Sequence, residues 1–403
     1  MTVDAPSPPG SRRRVLILTV VFLAVVAGHV WYGNRHQFFD LGIYRDAMIW
    51  WQSHPLYDYA RPDATQGSLS FTYPPFGALL LYPLGWLSWG GAVAAYSIIS
   101  AALFGLIVWW LVRPLADRHG LPRWFVFGVA ALLFTGLEPI REAFTFGQIN
   151  FVLWALILFD LLVLLPRGSR LTGVGIGLAT AIKLVPGIFI VYLLVTRRYL
   201  AAAVAAGTAV AATALAGLIA PQATSVYFTE KLLQGEGVGQ LAYVFNQSIM
   251  GFLARLSDEP SRVLWALLSL VVLGYGMWRA AAAARAGDEV VGLTLAGIVG
   301  SLISPVTWVH HIVWFIPAIV VLVDRGWPGE PQPGRTRARV LALITYATVT
   351  YSVLSLWAFT LGELGGVLGF VLTNWLIWLM VALLVLLPIR KLAPPSGQVA
   401  VDT

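Results

Sequence analysis

Apolar runs long enough to cross a lipid bilayer recur along almost the whole of this sequence. Of its 403 residues, 58% are hydrophobic and only 11% are charged. A helix needs about 20 mainly apolar residues to span a bilayer, and helices buried among others can be shorter. The apolar runs lie at 15–33, 91–112, 124–138, 149–165, 171–183, 185–197, 199–219, 262–283, 289–304, 308–324, 338–358 and 366–388. The sequence therefore predicts an all-α polytopic membrane protein with about twelve transmembrane helices.

Charged residues are distributed unevenly between the two sets of loops that these helices define. One set contains 18 of the 26 lysines and arginines, and the other contains 11 of the 19 acids. Cytoplasmic loops are enriched in Lys and Arg. The pattern predicts that both termini are cytoplasmic and that segments 34–90, 139–148 and 220–261 lie on the outer face of the plasma membrane.

The polar segments are too short to form a soluble domain. We predict a cytoplasmic tail over 1–14, one transmembrane domain over 15–390 and a second cytoplasmic tail over 391–403. Segment 71–88 is apolar but rich in proline, so we expect a re-entrant or interfacial element there. Together with the rest of 34–90 it would form an outer first loop that carries short interfacial helices, and the stretch from Tyr44 to Trp51 has the helical character expected of one of them. The absence of cysteine excludes disulfides, thiolate metal sites and cysteine nucleophiles.

The first outer loop contains a dense patch of charge in an otherwise apolar chain. Its densest part runs from Arg35 to Asp63 and contains Asp40 and Asp58. Ionisable groups concentrated at a membrane surface indicate a polar reaction or binding site. A carboxylate placed like Asp58 can take a proton from a hydroxyl group, a step typically worth 10²–10⁴-fold in rate. The alternative is that these aspartates cap helices or pair with arginines of the same loop.

Aromatic residues accompany the acids in this loop. Tyr44 and Tyr57 lie near the two aspartates, and Tyr73 precedes Pro74 and Pro75 in the segment FTYPPF. The prolines favour a transition from extended chain to helix, and the tyrosines could form the floor of a substrate pocket. The alternative is an aromatic belt at the membrane interface.

Two further outer segments supply amides and a cation. Arg141, Gln148 and Asn150 surround the start of the predicted helix at 149–165, where amide groups can bind hydroxyl groups or phosphate. Helix capping explains Asn150 equally well. Asn246 begins an Asn-Gln-Ser triplet, which we interpret as either a polar pocket residue or a chance match to a glycosylation acceptor.

The predicted helices also contain a lysine and two adjacent histidines. An unpaired Lys183 deep in a bilayer would cost about 2.5–3.5 kcal/mol, which indicates a polar cavity or an anion beside it. The alternative is that its side chain reaches the outer interface. His310 and His311 lie at an outer helix start and can donate hydrogen bonds to a leaving phosphate. Neighbouring residues on a helix point about 100° apart, so the two histidines rarely bind one metal together.

The order of these motifs resembles the actinobacterial polyprenol-phosphate-mannose-dependent α-1,2-mannosyltransferases, which belong to the GT-C class of integral membrane glycosyltransferases. The resemblance extends over roughly residues 12–390. It rests on DLGIYRDA, LYD, FTYPP, FGQIN, AIKLVP, NQS and SPVTWVHH. The combination of these motifs is specific, although none is specific alone.

The resemblance implies a GT-C fold and an inverting transfer of mannose at the outer face of the plasma membrane. The donor would be polyprenyl-phosphate β-mannose, and the acceptor would be a phosphatidylinositol mannoside, which gains an α-1,2 linkage. Asp58 matches an essential first-loop aspartate of the family and would be the catalytic base. The donor phosphate would contact His310, His311, Lys183 and Arg141. The substrate-binding residues would be Asp40, Tyr44, Tyr57, Tyr73, Gln148, Asn150 and Asn246.

The remaining alternatives differ in substrate or in class. Related lipomannan mannosyltransferases and arabinofuranosyltransferases share the motifs, and a lipid transporter or flippase would also need polar residues inside the membrane. A transporter would not need an outer loop rich in acids and aromatics. No Asp-x-Asp triplet occurs in the chain, so we expect neither a metal nor another cofactor. Membrane lipids are expected partners, and nucleic acid is not.

Overall fold

The structure is a computed structural model. It describes residues 9–32, 34–63, 67–232, 239–329, 332–351, 353–356 and 366–391. Most of residues 1–14 and nearly all of 391–403, the two predicted tails, lie outside these ranges, as does the end of the predicted helix at 338–358. The described residues are mostly α-helical, with some helices interrupted by short 3-10 or π segments.

The first half of the chain contains the first ten helices and a small hairpin. The helices are α1 (Pro9–Tyr32), α2 (Phe39–Trp50), α3 (Pro75–Leu81), α4 (Trp89–Arg118), α5 (Arg123–Thr135), α6 (Glu138–Phe146), α7 (Asn150–Leu158), α8 (Val174–Ile182), α9 (Ile188–Val195) and α10 (Tyr199–Ile219). The hairpin pairs β1 (Ala60–Asp63) with β2 (Gly67–Ser70) in antiparallel register. Short 3-10 or π segments lie at 56–58, 82–86, 159–164, 165–167 and 185–187.

The second half of the chain continues the helical pattern. Its helices are α11 (Pro221–Val226), α12 (Ile249–Ala254), α13 (Arg262–Arg285), α14 (Glu289–Ile303), α15 (Phe315–Gly326), α16 (Arg335–Thr350), α17 (Val353–Leu356), α18 (Gly366–Thr373) and α19 (Trp375–Leu386). A π segment follows α11 at 227–231, and a 3-10 turn precedes α15 at 309–311. Helices α13 and α14 pack against each other, as do α15 and α16.

Length and composition support a membrane protein. Four of the described helices are long and apolar enough to cross a bilayer, and the number rises to six if each of two bent pairs forms one span. The bent pairs are α5 with α6, at 73°, and α18 with α19, at 65°. The apolar segments at 185–195 and 289–303 are shorter than a full crossing. The membrane character is therefore supported, whereas the larger number of twelve crossings stays a prediction.

The first outer loop is more structured than the sequence indicated. Helical character was expected from Tyr44 to Trp51, but α2 begins at Phe39, which places Asp40 in its first turn. The hairpin at 60–70 was not predicted, because its eight paired residues lack the alternation of apolar and polar side chains that identifies a strand. The segment 71–88 forms α3 and a 3-10 turn, with Pro75 in the first turn of α3.

Two glycines allow the loop to approach the rest of the helices closely. Gly147 ends α6 with a φ of +80°, and a Cβ there would lie 2.5 Å from the Cβ of Leu41 in α2. Gly77 of α3 would place a Cβ 2.7 Å from the carbonyl oxygen of Ile182, the last residue of α8. The residues that follow α6 and α8 therefore lie beside the first outer loop.

The segment before α15 is not helical, although a helix was predicted from 308. Residue Asn246 forms a β-bridge with Trp308 and holds it in an extended conformation. The carbonyl group of His310 accepts a hydrogen bond from the side chain of Asn150, at 2.8 Å, rather than from a helical N–H. The contacts with distant residues replace the first helical turn and leave the two histidines on a 3-10 turn.

A buried ion cluster joins four segments of the chain, none of which belongs to the first outer loop. Arg390 donates to both carboxylate oxygens of Asp288 and to Asp324, the last at 2.6 Å. Asp324 also lies 2.8 Å from the imidazole of His119 and 3.2 Å from Arg118. All five residues belong to segments that the charge pattern assigns to the cytoplasmic side.

Candidate active site

A hydrogen-bonded network joins the first loop to the turn between α6 and α7. The amide nitrogen of Gln148 donates to Asp40 Oδ2. The amide oxygen of Gln148 accepts from the hydroxyl groups of Tyr44, at 3.1 Å, and Tyr73, at 3.3 Å. The two hydroxyl oxygens are 2.7 Å apart. Four of the predicted substrate-binding residues are therefore in one network.

The carboxyl group of Asp40 lies in an environment that disfavours its charge. Burial raises the pKa of Asp40 to about 6, although the hydrogen bond from Gln148 and the positive charge of Lys183 oppose this shift. A general base works best when its pKa is near the operating pH. Asp40 is therefore poised to exchange a proton in the range where most enzymes operate.

Lys183 and His311 form a close pair beside this network. Helix α8 ends at Ile182, and Lys183 itself is extended, so its side chain leaves the helix. Its Nζ lies 2.9 Å from His311 Nε2 and 5.0 Å from the ring centre of Tyr73. The sequence predicted that an anion or a polar cavity accompanies Lys183, and this contact places it at the centre of the polar cluster.

The Lys183–His311 pair has two distinct protonation states. The backbone N–H of Trp308 donates to His311 Nδ1 at 3.2 Å, which leaves the ring proton on Nε2. Both contacts form together only when Nε2 donates to a neutral lysine amine, because a neutral imidazole has one donor and one acceptor. An ammonium at Lys183 would instead donate to Nε2 and direct its other two hydrogens elsewhere. An arriving anion favours this second, charged state.

His310 is buried next to its neighbour and has an unused nitrogen. Its side chain is 6% exposed, and Nε2 has no hydrogen-bond partner among the described residues. The ring lies 4.6 Å from the ring of His311 and 5.4 Å from that of Phe146. An unpaired buried nitrogen costs free energy, so this atom is available for a ligand.

An apolar cavity of about 70 Å³ is lined in part by Lys183 and His311. Its walls include Trp154, Phe189 and Trp314, which are almost fully buried. A site that combines a basic pair, able to become cationic beside an anion, with an apolar cavity suits a ligand with an anionic group attached to a hydrocarbon chain.

Asp58 occupies a different position from the network. It is exposed at the end of the 3-10 turn 56–58, and its carboxylate makes no hydrogen bond or ion pair with any residue that the structure describes. The preceding Tyr57 is buried, and its hydroxyl donates to the carbonyl oxygen of Tyr73 at 2.8 Å. Through Tyr57 the turn is fixed against the network, while Asp58 remains accessible to a substrate.

Two other predicted residues lie outside the network. The guanidinium of Arg141 donates to the carbonyl oxygens of Gly136 and Thr350, the latter at 3.1 Å, and so joins α5 and α6 to α16. Asn246 is fully buried, and its amide oxygen accepts from the backbone N–H of Thr307 at 3.0 Å. This hydrogen bond gives Asn246 a role in positioning the segment before His310, and its direct binding to a substrate stays a prediction.

The structure also adds residues that sequence reasoning did not assign to the site. The imidazole of His36 stacks on Phe146 at 3.8 Å, and its Nε2 lies 2.9 Å from Glu142 Oε2. Both His36 and Glu142 influence the charge state of Asp40. Their location in the charged first loop and in α6 was a signal, but nothing in the spacing showed that they meet. Among the described residues, no group of three or more metal-binding side chains is arranged to hold a metal ion.

Comparisons with known proteins give a consistent result. The family model of Glycosyltransferase family 87 matches residues 71–305. A polyprenol-phosphate-mannose-dependent alpha-(1-2)-phosphatidylinositol mannoside mannosyltransferase of Mycobacterium tuberculosis is 34% identical over 364 residues, which cover 84% of this chain and 82% of the relative. The protein of that description from Mycolicibacterium smegmatis is 34% identical and covers 78% of each chain.

A third relative differs in the wording of its acceptor. It is a polyprenol-phosphate-mannose-dependent alpha-(1-2)-phosphatidylinositol pentamannoside mannosyltransferase of Mycobacterium tuberculosis, 33% identical over 83% of this chain and 77% of its own length. No solved structure matches the chain.

Proposed function

The chain belongs to glycosyltransferase family 87, and on that premise we propose that it transfers mannose from polyprenol-phosphate mannose to a phosphatidylinositol mannoside, forming an α-1,2 linkage. The relatives that cover most of the chain carry this activity in their names. The enzyme is an integral membrane glycosyltransferase, in keeping with its apolar helices.

The observation that carries the proposal is the Lys183–His311 contact between a polar network and an apolar cavity. A polyprenyl phosphate has one anionic group joined to a long hydrocarbon chain. The phosphate can lie against Lys183 and the free nitrogen of His310, and the adjoining prenyl carbons can enter the cavity. A transporter for the same lipid would explain the cavity, but it would not explain the network at Asp40.

The reaction is a single displacement at the anomeric carbon of mannose. The acceptor hydroxyl oxygen forms the new bond to this carbon, and the bond from the carbon to the phosphate oxygen breaks. The hydroxyl proton goes to a carboxylate, and the electron pair of the broken bond goes to the phosphate, which changes from a monoanion to a dianion. Attack from the face opposite the phosphate converts a β-linked donor into an α-linked product.

The charge that develops on the phosphate explains the basic residues. The ammonium state of Lys183 has two hydrogens left after it donates to His311, and His310 adds a further donor when it carries its proton on Nε2. Donors aimed at a developing charge in a site shielded from water are usually the largest contribution to catalysis. Phosphate is a good leaving group, so the displacement does not require a metal ion.

Asp58 is the proposed base, and the network at Asp40 would bind the acceptor sugar. Asp58 is exposed on a turn anchored by Tyr57, so an incoming hydroxyl can reach it. Asp40, Gln148, Tyr44 and Tyr73 offer both donors and acceptors, which suits the hydroxyl groups of a mannose ring.

The proposed active site lies on the outer face of the plasma membrane, with both termini cytoplasmic. The ion cluster around Arg390 supports this assignment, because the four segments that it joins are all predicted to lie on one side, the cytoplasmic side. The predicted outer segments supply Asp58 and Gln148, and His310 lies at a predicted outer helix start. Charge pattern and tertiary contacts thus agree on which ends of the helices share a side.

The test is a transfer assay with the purified full-length protein in lipid vesicles. Radiolabelled polyprenyl-phosphate mannose is supplied with phosphatidylinositol mannosides that differ in their number of mannoses. We expect a labelled lipid product from which an α-1,2-specific mannosidase releases the labelled mannose. Transfer from a polyprenyl-phosphate arabinose instead would assign the chain to another activity, and movement of the donor lipid across the bilayer without transfer would indicate a flippase.

A further inference from the structure

A second pocket, of about 440 Å³, lies beside the first two turns of α2. Three arginines, Arg35, Arg45 and Arg61, line it together with one carboxylate, that of Asp46. Neither Lys183 nor either histidine of the 3-10 turn contributes to its walls. We call it the arginine pocket.

The single carboxylate does not neutralise the arginine pocket. Arg45 lies 3.6 Å from Asp46 and also donates to the carbonyl oxygen of Leu87 at 3.0 Å. Arg61 makes no hydrogen bond or ion pair with any residue in the described part of the chain. The positive charge of Arg61 is therefore available to an anion.

An aromatic ring and a close approach to the backbone, rather than an ion pair, hold Arg61 in place. Its guanidinium lies 4.6 Å from the ring centre of Phe39, a cation–π contact. One of its nitrogens approaches the backbone of α2 so closely that a Cβ at Gly42 would lie 2.9 Å from it. A glycine and an aromatic ring thus position the guanidinium and leave its N–H groups free to bind a ligand.

The surroundings of the arginine pocket are typical of the membrane–water interface. Trp89 lines the pocket and begins α4, a candidate span, and it is 43% exposed. Trp31, at the end of α1, is 80% exposed and lies 5.9 Å from the guanidinium of Arg35. Exposed tryptophans are enriched at the level of lipid headgroups, where the phosphodiesters of membrane lipids lie.

We infer that the arginine pocket binds the phosphodiester of the phosphatidylinositol mannoside acceptor, with Arg61 as the principal contact. This inference rests on the proposed function. Each substrate has one phosphate, and Lys183 with its histidine neighbours suits that of the donor. Arginine presents a planar fork of N–H groups that matches two phosphate oxygens. Because Arg61 follows Asp58 by three residues, the acceptor would be anchored on the same segment that carries the proposed base.

The test compares a charged acceptor with a neutral one. Transfer to a phosphatidylinositol mannoside and to octyl α-mannoside, which has no phosphate, is measured in phosphatidylcholine vesicles. For Arg61→Gln we expect KM for the phosphatidylinositol mannoside to rise about tenfold or more, because a charge-assisted hydrogen bond is lost. KM and kcat for octyl α-mannoside should stay within about twofold of the wild-type values.

Two further variants separate the possible causes. In Gly42→Ala the new methyl group keeps α2 helical but displaces the guanidinium of Arg61. We therefore expect KM for the phosphatidylinositol mannoside to rise, by less than in Arg61→Gln, while KM for octyl α-mannoside is unchanged. Arg262→Gln removes an exposed arginine at the start of α13 and should leave KM unchanged for both acceptors. Equal losses on both acceptors in Arg61→Gln would overturn the inference, because they would indicate a distorted site. An effect that appears only when phosphatidylglycerol is added would assign the pocket to bulk anionic lipid.

A binding measurement keeps the inference separate from the proposed function. Fluorescent phosphatidylinositol is titrated against the wild-type protein and Arg61→Gln in neutral detergent, with no donor present. Weaker binding by about tenfold in the variant supports the pocket even if no mannose is transferred. Equal binding by both proteins would overturn it even if transfer is observed.

Discussion

Lys183 Nζ lies 2.9 Å from His311 Nε2, although 128 residues separate the two in sequence. Each residue is conspicuous in the sequence because ionisable groups are rare in apolar helices. Their contact depends on the end of α8 at Ile182 and on the non-helical segment before α15, which Asn150 and Asn246 stabilise. The pair provides a cation where the donor phosphate would become a dianion.

Replacing Asp58 tests the proposed base. We expect Asp58→Asn to lower the turnover number by about 10²–10⁴-fold while donor binding is unchanged, because asparagine keeps the shape but cannot accept the proton. Single-turnover assays and binding of the labelled donor measure the two effects. The matched control is Asp258→Asn, an exposed acid of another predicted outer loop. Normal turnover in Asp58→Asn would remove Asp58 from this role, and Asp40 would be tested next.

Replacing Lys183 tests the phosphate site. We expect Lys183→Met to slow transfer by about 10²–10³-fold, by analogy with the loss of one donor from an oxyanion hole. His310→Ala and His311→Ala should slow transfer or weaken donor binding. Lys231→Met, which changes a lysine outside the cluster, serves as the control. If all three site variants transfer mannose at the normal rate, the donor phosphate lies elsewhere, and Arg141 becomes the residue to test.

The raised pKa of Asp40 predicts a pH dependence. The carboxyl group has a pKa of about 6 in the folded protein, so we expect kcat/KM to rise with pH through this value as the carboxylate forms. Asp40→Asn should lack this limb of the pH profile. Because the pKa is higher in the folded than in the unfolded chain, the group's contribution to stability is greatest below about pH 4 and is lost as the pH rises to about 6.

Thermal unfolding in detergent checks the stability part of this prediction. The wild-type protein should lose more stability between pH 4 and pH 6 than Asp40→Asn does. Identical profiles for the two proteins would show that Asp40 is not the group that titrates.

We also expect transfer to be independent of divalent metal ions. The displacement needs only donors at the phosphate, and no three histidine or acidic side chains among the described residues are grouped as a cage for a metal ion. Turnover is measured with excess EDTA and then with Mg²⁺ or Mn²⁺ added back. Loss of turnover with EDTA and its recovery with metal would contradict the prediction and make Asp58 a possible metal ligand.

The helices could be predicted from the sequence because each depends on a local pattern. Helix α10 has the predicted range of 199–219, and α8 ends where Lys183 and Pro186 interrupt an apolar run. The register of side chains between helices could not be predicted. It depends on close approaches such as that of Gly147 to Leu41, which no local pattern records.

The candidate site was predicted residue by residue, but not as an arrangement. Tyr44, Tyr73 and Gln148 were all identified, yet their common contact with Asp40 requires α2 to begin five residues earlier than expected. His36 was missed because its partner Glu142 lies on another helix. Arg141 was expected at the phosphate because it is a cation in the same outer segment. Its hydrogen bond to the carbonyl oxygen of Thr350 could not be predicted, because it depends on where α16 packs.

The ion cluster at Arg390 has a consequence for how the protein is made. Synthesis proceeds from the N-terminus, so Asp288 and Asp324 leave the ribosome and enter the membrane before Arg390 exists. Asp324 can already pair with Arg118 and His119, but the basic partner of Asp288 is Arg390. Until the last helix has been inserted, Asp288 cannot be buried without a large cost in free energy. The helix ends around Asp288 must therefore stay open to water during translation, and we expect a chain cut short before residue 390 to leave this carboxylate unpaired and to be less stable than the full chain.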